Sequence, residues 1–136
     1  MPHTIVIFGA SGDLTGRKLV PALYNLMRSG ALPAETRIVG FSRTAMSDEE
    51  WRAALRDSTA RHAEGPPLDE VSWTAFARSI HYLPGDIGNP EDFQRLRERL
   101  DGIEKGAETT RVYYLATAPQ FYEPVVAALG SHGMAA

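Results

Sequence analysis

The chain has 136 residues, 43% hydrophobic and 23% charged, with a net charge of −3 and no cysteine, which suits one globular domain and excludes a disulfide frame or a thiolate site. Both signs of charge are interspersed, so the sequence offers no basic footprint for nucleic acid and no polybasic or long apolar segment for a membrane. A strand beginning near residue 3 leaves no room for a secretory leader, and a soluble cytoplasmic protein is expected.

The run from Thr4 to Phe8 is β-branched and apolar, which predicts a buried parallel strand ending at Gly9. Gly9 and Gly12 allow positive φ and remove Cβ atoms that would hold a ligand away from the main chain, while the helix that follows presents unpaired N–H groups. Strand, glycine turn and helix start in that order make a phosphate seat. The spacing is Gly9-x-x-Gly12-x-x-Thr15 with Gly16 next, which departs from G-x-G-x-x-G. A P-loop fails on residues, because position 14 is Leu and Lys18 is followed by Leu19. A plain tight turn also explains the glycines alone, so other residues must decide.

Leu19, Leu23, Leu26 and Met27 recur at helical spacing and predict a helix from about Asp13 to Ser29 with its apolar face on the sheet, stopped by Gly30 and Pro33. Arg37 to Ser42 reads as a second strand, parallel to the first through a right-handed crossover. Ligands of such sheets bind beyond the carboxyl ends of the strands, so the Gly9 turn should face Ser42 and Arg43 across a crevice. An NAD site usually carries an acid at this point for the ribose 2′-hydroxyl. Here Ser42-Arg43-Thr44 supplies a guanidinium, which favours the 2′-phosphate of NADP.

Ser47-Asp48-Glu49-Glu50 is a capping box, opening a helix through Trp51, Ala54 and Leu55 that fades near His62. After Gly65-Pro66-Pro67 a second helical pattern runs through Val71, Trp73, Phe76 and Ala77, and the aromatics Trp51, Trp73 and Phe76 are expected in the core. Ile80 to Leu83 is a third strand, with Asp86 and Ile87 at its end placed to edge an adenine pocket. Asn89-Pro90-Glu91-Asp92 starts a helix with the stripe Phe93, Leu96, Leu100 and Ile103, whose Arg95, Arg97, Glu98 and Arg99 read as a solvated face. Arg111 to Ala116 is a fourth strand, and Thr117-Ala118-Pro119 leads to a helix with Tyr122, Val125, Val126 and Leu129 on one side. The fold class is therefore α/β, a partial Rossmann-type doubly wound parallel sheet of about four strands in the order 3-2-1-4.

Several chemistries find no support. The histidines His3, His62, His81 and His132 show no metal-ligand spacing, and Gly-x-Ser-x-Gly is absent, leaving Ser11 as a phosphate contact. No tyrosine has a lysine four residues on, as short-chain dehydrogenases require: Tyr24, Tyr82, Tyr113, Tyr114 and Tyr122 are followed there by Arg28, Asp86, Thr117, Ala118 and Val126.

The string Gly9-Ala10-Ser11-Gly12-Asp13-Leu14-Thr15-Gly16-Arg17-Lys18-Leu19-Val20-Pro21-Ala22-Leu23-Tyr24, with Gly30-Ala31-Leu32-Pro33 after it, closely resembles the opening of the glucose-6-phosphate dehydrogenases. The likeness continues through Ile38-Val39-Gly40-Phe41-Ser42-Arg43, Tyr82 to Asp86 and Tyr114-Leu115-Ala116-Thr117-Ala118-Pro119. It implies an NADP-dependent oxidation of glucose 6-phosphate to 6-phosphogluconolactone in the pentose phosphate pathway. By matching position, Gly9, Ala10, Ser11, Gly12, Asp13, Leu14, Thr15 and Gly16 would hold the pyrophosphate, Arg43 the 2′-phosphate, and Asp86 and Ile87 the adenine side. Lys18 matches a lysine that reaches toward the sugar phosphate. Thr15 stands where the family most often has Ala and is expected to crowd the helix against the sheet. Ala118 stands where it often has Pro, which would loosen the loop near the nicotinamide.

The family's Glu-Lys-Pro-Phe-Gly segment, and the Arg-Ile-Asp-His-Tyr-Leu-Gly-Lys segment with its catalytic histidine, would both fall beyond Ala136. Residues 1–136 are thus expected to be an NADP-binding domain that lacks the catalytic and substrate domain and alone does not turn over glucose 6-phosphate. The resemblance implies no catalytic residue here, glucose 6-phosphate as the partner of a full-length parent, and a homo-oligomeric parent. A non-catalytic NADP-binding or partner-interaction module is the alternative, and a short-chain-type sugar oxidoreductase a weaker one.

Overall fold

In the computed structural model, residues 3–10, 12, 15–32, 36–62, 67–105 and 109–131 are described. Four strands, β1 (His3–Phe8), β2 (Thr36–Ser42), β3 (Ile80–Pro84) and β4 (Thr110–Leu115), form one parallel sheet in the order β3-β2-β1-β4. This is the order the sequence predicts. Ile5 pairs with Ile38 on one side and Val112 on the other, so β1 is an inner strand, and Val6, Ile7 and Phe8 are fully buried.

Because side chains alternate across a strand, each sheet face takes its own set of helices. Ile7, Ile38, Ile80 and Tyr82 face α1 (Val20–Arg28), α2 (Asp48–His62) and α3 (Glu70–Ala77), where Trp51, Trp73 and Phe76 are core residues. Val6, Phe8, Val39, Phe41 and Leu83 face α4 (Pro90–Glu104) and α5 (Tyr122–Ser131) through Phe93, Leu96, Leu100, Val125 and Leu129. At about 25 cal/mol per Å² of apolar surface removed from water, these two clusters supply the main driving force for folding. Among the described residues no helix is long and apolar enough to cross a membrane.

The predicted helix boundaries hold where a cap defines them. Ser47 Oγ accepts the Glu50 N–H at 3.1 Å, and Glu50 Oε1 accepts the Ser47 N–H at 3.1 Å. Asn89 Oδ1 accepts the Glu91 N–H, with Pro90 at the first helical position. Gly30 (φ +78°) ends α1: its N–H bonds Met27 O while the Ala31 N–H bonds Leu26 O, the paired closure of a Schellman cap.

Three expectations need correction. The helix after the glycine turn begins with a π-helical turn over Thr15–Leu19 and becomes α-helical only at Val20. Leu26, Tyr122 and Val126 are exposed, because α1 buries Val20, Pro21, Leu23 and Tyr24, and α5 only Val125 and Leu129. Arg99 is not merely solvated: its Nη2 donates to Asp48 Oδ2 at 2.9 Å and ties α4 to the start of α2.

Candidate coenzyme-binding cleft

Beyond the carboxyl ends of the strands lies a cleft of about 450 Å³. Gly9 and Gly12 come from the end of β1, Ser42, Arg43 and Thr44 from β2, Gly85, Asp86 and Ile87 from β3, and Ala116, Thr117 and Ala118 from β4. The cleft sits where the order turns from β1 toward β2 on one side and β4 on the other, the switch point at which such sheets bind ligands.

Gly9 sets its floor. With φ at +82° and its N–H bonded to Phe41 O at 3.0 Å, it turns the chain sharply off β1. A Cβ here would lie 2.6 Å from Ala116 O, so β1 and β4 could not keep their spacing at the turn. The Gly12 N–H closes the turn on Gly9 O at 3.0 Å, and Thr15 Oγ1 donates to the same carbonyl at 3.4 Å. Thr15 is fully buried, so the threonine found where the resemblance favours alanine is accommodated by a hydrogen bond back to the turn and by the π-helical widening it begins.

The other wall carries the charge. Arg43 is exposed, just past the end of β2. The flanking residues are held from β3: the Tyr82 hydroxyl donates to Thr44 O at 2.6 Å and lies 2.6 Å from Ser42 Oγ. Burial pushes the Tyr82 phenol above its ordinary pKa, with the Ser42 hydrogen bond opposing that shift, so it stays a protonated donor at neutral pH. Asp86, the carboxylate of the cleft, is exposed at the end of β3, its Oδ1 accepting the Gly88 N–H at 2.9 Å. Both charged groups of the cleft are therefore exposed, Arg43 at the end of β2 and Asp86 at the end of β3.

Of the sequence-predicted residues, Gly9, Gly12, Arg43, Asp86 and Ile87 meet in this cleft. Ala10 is buried behind the turn, its carbonyl accepting the Trp51 indole N–H at 3.3 Å, and Thr15 supports the turn from beneath. Gly16 opens onto a separate cavity with Arg17, Ser58 and Arg61, and exposed Lys18 lines another beside Pro21 and Asn25 on the outer side of α1. Neither lines the cleft at the strand ends. Ser11, Asp13 and Leu14 lie outside the described residues.

The sequence reading passed over Thr117. Its hydroxyl oxygen is buried at the cleft wall with no hydrogen-bond partner. An orphaned buried hydroxyl costs about 1–3 kcal/mol, and a polar ligand in the cleft would satisfy it. With the room left by Gly9 and Gly12, the cleft suits a polar ligand. Its position at the end of β4, next to β1, is the signal by which the crevice rule would have found it.

Residues 6–136 match the family model described as glucose-6-phosphate dehydrogenase, NAD binding domain. A glucose-6-phosphate 1-dehydrogenase of Treponema pallidum is 38% identical over 133 residues, covering 96% of this chain and 26% of that protein. One from Mycolicibacterium smegmatis is 37% identical over 134 residues, covering 98% of this chain and 27% of that protein. The chain thus spans about a quarter of the length of the curated relatives it matches. A solved structure of a glucose-6-phosphate dehydrogenase in complex with its substrate glucose 6-phosphate superposes with a TM-score of 0.83 at 31% identity, over 96% of this chain and 27% of that one. A second, glucose-6-phosphate 1-dehydrogenase from Mycobacterium avium, gives 0.85 at 24% identity over 99% and 28%, which speaks for the fold alone.

Proposed function

Since the chain belongs to the glucose-6-phosphate dehydrogenase family through its coenzyme-binding domain, we propose that it holds NADP in this cleft as the coenzyme half of an enzyme oxidising glucose 6-phosphate. The observation that carries the choice of NADP is the exposed Arg43 just past the end of β2, where an NAD site usually carries an acid. A 2′-phosphate entering beside β2 meets a cation, and the carboxylate of the cleft, Asp86, comes from the end of β3.

In this reading Gly9 and Gly12 let the pyrophosphate approach the main chain, Ser11, Asp13 and Leu14 are further contacts to it as the resemblance implies, and Ala10, Thr15 and Gly16 support the turn. Asp86 and Ile87 flank the adenine, and Thr117 receives a polar group of the ligand. The bound coenzyme supplies a nicotinamide that accepts hydride. The chain's own residues bind and orient it. Among the described residues lining the cleft, Asp86 is the one carboxylate, and this reading places it beside the adenine, away from the nicotinamide. The 136 residues by themselves therefore bind coenzyme without turnover, and Lys18 meets the sugar phosphate only in a longer form of the protein. The reading keeps the cytoplasmic location expected from the sequence.

Calorimetric titration of the chain with NADP⁺ and with NAD⁺ at one ionic strength tests this. A charge-assisted hydrogen bond is worth about 1.5–3 kcal/mol, so Arg43→Ala should lower the preference for NADP⁺ roughly 10- to 100-fold. An unchanged ratio would remove the basis of the assignment.

A further inference from the structure

Arg43 is a long side chain on an exposed loop, and a guanidinium there selects for a phosphate only if its backbone is already in place. What holds that backbone is a pair of buried aromatic residues outside the cleft. The Tyr82 ring is 3% exposed, and its hydroxyl reaches the residues before and after Arg43, at 2.6 Å from Ser42 Oγ and 2.6 Å from Thr44 O. A phenol has one proton. With that proton given to the Thr44 carbonyl, the Ser42 hydroxyl donates to the phenol oxygen, so both bonds form without competition.

The ring leans on Trp51, with centroids 5.3 Å apart at 46°. The Trp51 indole in turn donates to Ala10 O, in the turn that forms the opposite wall. One continuous contact thus runs from the Gly9 turn through Trp51 and Tyr82 to the two residues bracketing Arg43. We propose that Tyr82, backed by Trp51, is a positioning residue for coenzyme selectivity: it fixes the Ser42–Thr44 loop relative to the phosphate turn so that Arg43 meets a ribose 2′-phosphate. The inference rests on the reading of the cleft as an NADP site and names what makes Arg43 selective.

NAD⁺ has a hydroxyl where NADP⁺ has the phosphate, so it gains little from a well-placed Arg43. Loosening the loop should therefore weaken NADP⁺ selectively. Tyr82→Phe keeps the ring against Trp51 and removes only the hydroxyl. Ordering one long side chain on a freed loop accounts for a loss of NADP⁺ affinity of roughly threefold to tenfold, with NAD⁺ changed by less than about twofold.

The experiment titrates parent, Tyr82→Phe and Arg43→Ala with both nucleotides and records a thermal melt of each. A fall in the NADP⁺/NAD⁺ ratio in both variants, with the Tyr82→Phe melt still cooperative, supports the proposal. A lowered ratio in Arg43→Ala with an unchanged one in Tyr82→Phe overturns the positioning role and leaves the NADP reading standing. Equal losses for both nucleotides in Tyr82→Phe make the hydroxyl a structural group only, and also overturn it. An unchanged ratio in Arg43→Ala overturns the NADP reading and this proposal together. If Tyr82→Phe loses its cooperative melt, Ser42→Ala, which removes the donor to the phenol oxygen, decides: a lowered ratio supports the proposal and an unchanged one overturns it.

Discussion

Gly40 lies in the middle of β2, where any residue can adopt the backbone, and still nothing larger fits. A Cβ added there would sit 2.5 Å from Trp51 Cη2, 2.7 Å from Ala10 Cβ and 2.8 Å from Trp51 Cζ2. Ordinary contact begins near 3.4 Å. Gly40→Ala therefore requires about 1 Å of give from a tryptophan that is 2% exposed, packed against Tyr82 and bonded to Ala10 O. Overpacking of this kind costs about 1–3 kcal/mol, and the upper end applies because both neighbours are pinned. That lowers the melting temperature by roughly 10 °C in a domain of this size. Gly102 in α4 is the control: a methyl there meets nothing within 4 Å, so Gly102→Ala should gain about 0.5–1 kcal/mol from helix propensity. Urea and thermal denaturation followed by far-ultraviolet circular dichroism measure both. A Gly40→Ala protein as stable as the parent would refute the packing of Trp51 against β2 and, with it, the contact chain from Ala10 to Tyr82.

Two further outcomes bear on stability. Buried Glu104 accepts Arg111 Nη2 at 2.6 Å, Arg111 Nε at 3.0 Å and Thr4 Oγ1 at 3.0 Å, and the carboxylate holds the guanidinium well above its ordinary pKa. Because Arg111 keeps some water, Glu104→Ala should cost about 3 kcal/mol, the low end for breaking a buried pair, and a loss below about 1 kcal/mol in urea denaturation would contradict it. Burial lowers the pKa of His81, opposed by Asp48 and reinforced by Arg99, Arg52 and Arg37. The unfolded chain then binds the proton more readily, so the stability His81 contributes is full above about pH 6.5 and is lost as pH falls through the folded value. His81→Gln should show a smaller fall in stability between pH 7.5 and 5 than the parent, and an identical fall would refute the assignment.

The strand order was legible because each crossover carries its helix signal between two short apolar runs, and handedness then leaves few arrangements. Caps were legible for a local reason: Ser47 with Glu50, and Asn89 with Pro90, satisfy their neighbours' N–H groups within four residues. The π-helical turn at Thr15–Leu19 carries no such signature, since it answers to a buried threonine that must reach Gly9 O while the following helix lies on the sheet. The exposure of Leu26 and Val126 likewise depends on which part of the sheet each helix covers, which no spacing rule contains. Gly9, Gly12, Arg43, Asp86 and Ile87 were readable as neighbours in one cleft because the crevice rule brings strand ends together. The same rule reaches Thr117, although its orphaned hydroxyl shows only in the structure, whereas Tyr82 was not readable, because its hydrogen bonds span about 40 residues.

The geometry of the cleft is fixed largely by a helix that contributes nothing to its lining. In the first turns of α2, Asp48 Oδ1 accepts the Tyr82 N–H at 2.6 Å and Arg52 Nε donates to Ile80 O at 2.9 Å. These groups lie on the side of β3 turned away from β2, where Pro84 has no N–H to offer. The edge of the sheet is thus closed by side chains that stand in for a further strand, as edge strands require if they are not to pair with another chain. Between those two residues in α2 stands Trp51, which holds Ala10 from the same helix. The Ser42–Thr44 loop is only three residues short of the capping box that starts α2, so its path is set at one end by β2, at the other by the cap, and in the middle by Tyr82. A register shift of α2 by one residue would release Tyr82, Ile80 and Ala10 together. The placement of the Ser42–Thr44 loop and closure of the sheet edge therefore depend on the same turns of one helix, and neither can be altered there without the other.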